Sequence, residues 1–141
     1  MISVPLGTPW PTGAWILIAS GATLLVGAFL PWLEATTIFG HVTRSGVSYG
    51  PDALLTAGIG TALGALGILL VTGQTIPRWI RMLAIVAAAG ALAILVYDYG
   101  QLKDRADRLV SDVAQASVGM GLWLSLAGAV TGILGGWLSR R

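Results

Sequence analysis

The sequence contains no cysteine and little charge. Only 10% of its 141 residues are Asp, Glu, Lys or Arg, whereas an average soluble domain carries roughly a quarter. So few charged side chains cannot cover the surface of a water-soluble globule of this length. The missing cysteines exclude a small secreted domain held together by disulfides. A hydrophobic content of 55% excludes a disordered chain. The composition therefore excludes a soluble enzyme and indicates an integral membrane protein.

Long hydrophobic runs make up most of the chain. Four of them approach the ~20 residues that a helix needs to cross a bilayer. They predict membrane spans at residues 15–33, 53–71, 79–96 and 118–138. The predicted fold class is an all-α membrane protein, a four-transmembrane-helix bundle that forms a single integral membrane domain over residues 1–141.

Aromatic side chains mark the ends of the predicted spans. Trp15 and Trp32 are 17 positions apart, which is roughly 26 Å along a helix. This distance fits one indole in each headgroup layer of the bilayer. The predicted interface anchors are Trp15, Trp32, Trp79, Trp137, Tyr97 and Tyr99.

Two connecting segments have patterns of their own. In the loop at 34–50, the runs 36–39 and 42–43 favour strand and Gly40-His41 favours a turn, which predicts a short β-hairpin. At 100–117 apolar residues recur at helical spacing opposite charged ones. This pattern predicts an amphipathic helix between spans three and four, which either prolongs span three or lies on the membrane surface.

Glycines are spaced four residues apart in two of the spans. Span four carries Gly128, Gly132 and Gly136, and span two carries Gly60 and Gly64. Small residues at this spacing let membrane helices approach closely. Such a face has two interpretations, since it either packs the four helices of one chain together or contacts a second copy or a partner.

Ionisable side chains are absent from the interior of all four spans. Ion-coupled carriers need such a group in the membrane, and the small four-span multidrug exporters have a carboxylate in their first span. Here that span offers only Ser20 and Thr23. No serine or threonine has a positioned base, and too few ligand types surround His41 for a metal site. We predict no catalytic, cofactor-binding or metal-binding residue, and no enzyme.

Asp98 stands between Tyr97 and Tyr99 at the predicted end of span three. It is either a capping charge that reaches water at the interface or a contact to a partner or a lipid headgroup. His41 and Arg44 in the first loop are further predicted partner contacts. The eight basic residues are scattered, so no nucleic-acid partner is expected.

The distribution of charged residues between the two ends of the bundle weakly favours one orientation of the protein in the membrane. Four spans put both termini on one side, together with the loop at Arg78 and Arg81. Each side carries four basic residues, but all six carboxylates fall on the side opposite the termini. We therefore expect a multi-pass protein of a bacterial plasma membrane with both termini in the cytoplasm.

The run Phe29-Leu30-Pro31-Trp32-Leu33 is followed by a loop with Ser45-Gly46 and by Asp52 at the start of the next apolar run. This arrangement resembles a broad set of small, uncharacterised four-transmembrane-helix proteins of actinobacteria. The resemblance implies a four-helix membrane fold with an outside first loop and no catalytic residue. A β-prone first loop and an extended third helix are also similar to claudin-like proteins, whose first-loop cysteine pair and Gly-Leu-Trp motif this loop lacks.

The expected function is that of a non-enzymatic accessory or assembly protein. It would pack against a larger membrane complex, or against itself, through its glycine-rich helix faces, and its other contacts would be membrane lipids. The alternative is a homo-oligomeric pore or a conduit for lipids or small molecules, lined by hydroxyl groups of spans two and four: Thr56, Thr61, Ser125 and Thr131.

Overall fold

A computed structural model describes residues 12–110 and 114–139. Four of its helices are long and apolar enough to cross a membrane, and three strands form one small sheet. The predicted four spans are thus present as four candidate membrane helices. In chain order the elements are α1 (Thr12–Phe29), β1 (Pro31–Thr37), β2 (Gly40–Ser45), α2 (Gly46–Tyr49), α3 (Pro51–Val71), α4 (Arg78–Leu109), β3 (Ala114–Val118) and α5 (Met120–Leu138).

The bundle has two different ends. At the sheet end, α1 ends, α3 and α5 begin, and the three strands form their sheet. At the loop end, residues 72–77 join α3 to α4. Arg140 and Arg141, which enter the predicted charge balance, lie outside the described residues, as do residues 111–113 of the predicted amphipathic helix.

Helix α1 ends four residues before the predicted end of span one. Pro31 lacks an N–H group and disfavours a helical conformation at the preceding residue, so it stops the helix and starts β1. In a continuous helix the carbonyl of Gly27 would accept the N–H of residue 31. The indole Nε1 of Trp32 donates to that carbonyl instead, at 2.9 Å, and so replaces the bond that the proline removes.

Helix α1 is the central helix of the bundle. It packs along α3 on one side and along α5 on the other, while α4 packs mainly on α5. Leu17 and Leu24 of α1 are fully buried. The buried Ser20 hydroxyl donates to the carbonyl of Gly128 at 2.7 Å, which joins α1 to α5 by a hydrogen bond as well as by close packing.

Helix α4 is continuous for 32 residues, or about 48 Å at 1.5 Å per residue. This length exceeds the ~30 Å hydrocarbon core of a bilayer, so the helix projects beyond the other helices at the sheet end. Its outer turns bury Leu102 and Ala106 and expose the charged residues between them. The amphipathic segment therefore prolongs span three, which was one of the two predicted alternatives.

The amphipathic helix ends earlier than predicted. Val110 has extended backbone angles, with φ −69° and ψ 125°, and residues 114–118 form β3 instead of two more helical turns. Strand β3 pairs antiparallel with β1, with Ala116 opposite Ala35. The free edge of β1 offers this segment backbone hydrogen bonds, and this long-range pairing outweighs a helical pattern in the local sequence.

The predicted hairpin is present with a different turn. Strands β1 and β2 pair antiparallel and Thr37 faces Gly40, so the two turn residues are Ile38 and Phe39 rather than Gly40-His41. Gly40 adopts φ +135°, a backbone conformation that glycine reaches without a steric penalty. The Thr37 hydroxyl closes the turn by accepting the N–H of Phe39 at 3.2 Å.

Candidate functional site at the sheet end

The glycine faces lie between helices of the same chain. A Cβ on Gly60 would lie 2.8 Å from the Cβ of Leu24, and one on Gly132 would lie 2.7 Å from the Ser20 hydroxyl. A Cβ on Gly136 would lie 2.7 Å from Ile85 and one on Gly128 would lie 3.1 Å from Leu24, while one on Gly64 would be in ordinary contact with Gly21. These five glycines therefore sit where α1, α3, α4 and α5 approach one another, which is the first of their two predicted interpretations.

Most predicted interface anchors are accessible to lipid. Trp15, Trp79 and Trp137 are exposed at the loop end, and Tyr97 is exposed at the sheet end, which is the exposure that an interface anchor requires. The half-buried Tyr99 packs edge-on against Trp123, with 5.2 Å between the ring centroids.

Trp32 is not an interface anchor. Its exposed fraction is 0%, because α1 ends before it and the residue belongs to β1. Its indole ring packs at the base of the sheet, where a Cβ on Gly46 would touch it.

Asp98 is buried, so it is not the capping charge that reaches water, which was one of its two predicted roles. Only 3% of its surface is exposed. The helix continues past it for three turns, and Asp98 shares the buried stripe of α4 with Leu95, Leu102 and Ala106. A carboxyl group at a core position of a helix must find its partners inside the protein.

The partner of Asp98 is another carboxyl group. Asp52 lies in the first turn of α3, directly after Pro51, where a negative charge is favoured by the helix dipole. Its side chain hydrogen-bonds the carboxyl group of Asp98. The second oxygen of Asp98, Oδ2, is buried and has no hydrogen-bond partner.

A polar crevice of about 220 Å³ surrounds this pair. Gln101 forms part of its wall and donates from Nε2 to the Tyr97 hydroxyl at 2.8 Å, which leaves the Gln101 carbonyl oxygen for another donor. The crevice is open on one side, and the exposed Tyr97 forms part of its rim. Its lining residues are Gly50, Pro51, Asp52, Tyr97, Asp98, Gln101 and Arg105.

Chemically, this crevice brings two carboxyl groups, a phenol and an amide together with the guanidinium group of Arg105. Its lining offers no nucleophile beside a base. Among residues 12–110 and 114–139, no three His, Asp or Glu side chains come close enough together to hold a metal ion.

The other predicted partner contacts lie on the sheet, away from the crevice. His41 and Arg44 are exposed residues of β2, and the His41 Nδ1 is 2.9 Å from the Thr36 hydroxyl. Beside them the hairpin turn carries Ile38 and Phe39, which are 71% and 93% exposed. The sheet end therefore has two separate features, a buried carboxyl pair and an exposed apolar tip.

A second cavity, of about 200 Å³, lies between α3 and α4 near the loop end. Helices α3 and α4 contact each other much less than α3 contacts α1 or α4 contacts α5. The cavity walls are entirely apolar and include Leu63, Leu66, Leu83 and Ala84. No side chain there can direct chemistry.

The sequence patterns did not identify Asp52 and Gln101 as members of a site. A signal for them was present in the periodicity, since Asp98 falls four positions before Leu102 on the apolar stripe of the amphipathic segment. A carboxyl group on that stripe requires a partner from another element, and Asp52 is the acidic residue at the start of the preceding span.

Comparison with protein-family models, curated proteins and solved structures finds no match to the chain.

Proposed function

We propose that the chain is a non-enzymatic accessory protein of a membrane complex, and that it binds a partner membrane protein through its sheet. The observation that carries the proposal is the exposed apolar hairpin tip. Phe39 is 93% exposed and Ile38 is its exposed neighbour. Both lie in a turn of the sheet, beyond the end of α1, and in this proposal a partner protein covers them.

The edge of the sheet adds a second binding element. Strand β2 pairs with β1 on one side only, and nearly all of its residues are exposed. An edge strand offers unpaired backbone N–H and C=O groups to a further strand. Val42 on this strand is 63% exposed and extends the apolar surface of the tip. A partner segment that covers the tip could also pair with β2.

The glycine-rich faces support this choice of surface, because they are already used between helices of the same chain. A partner that meets the chain laterally would find larger side chains, such as Val86 and Leu134, which are both exposed. The contact surface in this proposal is therefore the sheet and not the glycine stripes.

No specific observation favours a conduit. The expected pore lining consists of four hydroxyl groups, and each of them donates a hydrogen bond to a carbonyl of its own helix at 2.7–3.0 Å. Thr56 and Ser125 are also fully buried within the single chain. The residues in question are Thr56, Thr61, Ser125 and Thr131.

We place the protein in a bacterial plasma membrane with the sheet end outside. Arg78 and Arg81 lie at the loop end, and no acidic residue accompanies them among the described residues. Basic residues in short loops favour the cytoplasmic side. In this orientation the hairpin tip faces the outer domains of other membrane proteins.

Site-specific photo-crosslinking in the native membrane tests the proposal. A photoreactive residue at Phe39 should give a cross-linked band with one heterologous membrane protein, whereas the same residue at Gln74 in the loop-end connection should not. Phe39→Ala should lower the yield of the co-purified partner at least about tenfold, because exposed aromatic side chains dominate such contacts. Leu134→Ala, which truncates an exposed apolar side chain on the lateral face of α5, should leave that yield unchanged.

Two results would contradict the proposal. A cross-link from Phe39 only to a second copy of the chain would indicate a homo-oligomer instead of an accessory subunit. An unchanged partner yield in Phe39→Ala would show that the hairpin tip does not form the contact.

A further inference from the structure

The apolar cavity between α3 and α4, of about 200 Å³, is a cleft that opens on the lateral surface of the bundle. Its floor is closed by Leu63, Leu66 and Ala84, which are buried. Its mouth is accessible, because Ala62 on α3 is exposed and Leu83 on α4 is 55% exposed. Both helices are long and apolar enough to cross a membrane, so in a bilayer this mouth faces acyl chains.

Helix α5 lies behind the cleft and contacts both of the helices that form its walls. A Cβ on Gly132 would lie 3.1 Å from Leu63 of α3 and 3.3 Å from Ala88 of α4. The walls include the short side chains of Ala62 and Ala87, which leave space between the two helices. Apolar walls of this kind do not hold water, and atoms without neighbours lose dispersion contacts. An apolar ligand that fills the cleft therefore adds contacts without displacing a polar group.

We propose that the cleft binds one acyl chain of an anionic phospholipid, whose headgroup lies at the loop end near Arg78 and Arg81. The site lies at the opposite end of the bundle from the hairpin tip, so it is independent of the proposed partner contact. The α4 wall runs from Ile80 to Ala87, which is about 10 Å along the helix axis. A flexible alkyl chain can follow a narrow cleft of this length. A partner helix is too large for it, because one turn about 10 Å wide and about 5.4 Å long occupies roughly 400 Å³.

Two arginines at the loop end favour an anionic headgroup. Arg78 and Arg81 flank Ile80, the α4 residue of the cleft nearest the loop end. Arg78 is exposed, and Arg81 donates to the Ser139 carbonyl at 2.8 Å, which fixes its charge at this level of the bundle. No acidic side chain accompanies them among the described residues of the loop end. A basic residue near the membrane surface strengthens the binding of an anionic lipid about fivefold.

Native mass spectrometry of the full chain tests the site with defined lipids. The protein is released from micelles that contain equal amounts of phosphatidylglycerol and phosphatidylcholine with the same acyl chains. We expect bound phosphatidylglycerol to be roughly tenfold more abundant than bound phosphatidylcholine, because both arginines attract the anionic lipid. Phosphatidylglycerol should also raise the midpoint of thermal unfolding, since it binds only the folded chain.

A matched pair of double variants tests the acyl chain. Ala62→Leu combined with Ala87→Leu narrows the cleft from both walls. This variant should retain at least about fivefold less phosphatidylglycerol, because the chain loses many small dispersion contacts. Ala65→Leu combined with Ala89→Leu adds the same volume at exposed positions of the same two helices, outside the cleft. The control should retain the lipid as the unchanged protein does.

A second pair of variants tests the headgroup without altering the cleft, so it does not depend on how well the narrowed cleft folds. Arg78→Gln removes one charge at the loop end and should reduce the preference for phosphatidylglycerol severalfold. Arg44→Gln removes an exposed charge at the sheet end and should leave the preference unchanged.

Several results would overturn the proposal. Equal retention of the two lipids by the unchanged protein, or an undiminished preference in Arg78→Gln, would show that the arginines do not select the headgroup. Equal lipid retention in the narrowed-cleft variant and its control would show that the acyl chain does not lie between α3 and α4. A dimer that only the narrowed-cleft variant loses would assign the cleft to a second copy of the chain instead of a lipid.

Discussion

Single residues without side-chain volume control how closely the helices of this bundle approach. At Gly132, α5 meets α1, α3 and α4 together, since a Cβ there would lie 2.7 Å from the Ser20 hydroxyl, 3.1 Å from Leu63 and 3.3 Å from Ala88. Lipid is as apolar as the helices, so close packing of this kind, together with hydrogen bonds such as that from Ser20, replaces the hydrophobic drive of a soluble core.

Gly132→Leu is therefore expected to destabilise the bundle by at least about 2 kcal/mol, because four heavy side-chain atoms have no space between three helices. Leu134→Ala, two positions away on the exposed face of α5, is expected to cost ~0.5 kcal/mol or less. Thermal unfolding in detergent, followed by circular dichroism, measures both variants. Equal midpoints would show that the α5 glycines do not form a close helix contact.

At the residue scale, the sequence shows which side chains are unusual for their position in a span, but it does not show what surrounds them in the fold. Asp98 was visible as a carboxyl group at the end of a span, yet its burial depends on the outer turns of α4 and on the start of α3. Trp32 was assigned to a headgroup layer from its distance to Trp15. That assignment failed because it assumed a continuous helix through Pro31.

Among the elements, the four spans follow directly from hydropathy and their bounds differ from the prediction by only a few residues, apart from the longer α4. Strand β3 was not predictable in the same way. The segment Ala114–Val118 does alternate apolar and polar residues, but it is only five residues long and follows directly on a segment with helical spacing. It becomes a strand because β1 has a free edge. A long-range pairing of this kind is not encoded in a local window.

The outer turns of α4 should be stabilised mainly by what they bury under the sheet. Leu102 is fully buried and α4 packs on β3, so Leu102→Ala is expected to cost about 2–4 kcal/mol through lost burial and the cavity left behind. Hydrogen exchange measured by mass spectrometry should report the loss as faster exchange in β1 and β3, with little change in the membrane helices.

The matched control for this variant is Lys103→Ala, the next residue on the same helix, whose side chain is exposed. It should leave exchange in the sheet unchanged, since exposed substitutions lie within ~0.5 kcal/mol. Equal protection of β3 in both variants would mean that the sheet does not depend on α4.

For the whole molecule, polarity is divided between the two ends. The sheet end carries five described acids, the exposed hairpin tip and the carboxyl crevice, while the loop end carries a short connection, two arginines and three exposed tryptophans. Arg81 also donates to the carbonyl of Ser139 at 2.8 Å, which places a positive charge at the C-terminal end of α5, where the helix dipole favours it. The loop end is thus a compact basic surface at one membrane face.

This division predicts how the protein inserts. Because the chain has no cysteine, single cysteines can be introduced at Phe39 and at Gln74 and labelled with a membrane-impermeant maleimide in intact cells. We expect Phe39→Cys to react before permeabilisation and Gln74→Cys only afterwards, since basic residues such as Arg78 and Arg81 in a short loop favour the cytoplasmic side. The opposite pattern would invert the bundle, and it would turn the hairpin tip towards the cytoplasm. A partner would then have to be sought among cytoplasmic segments.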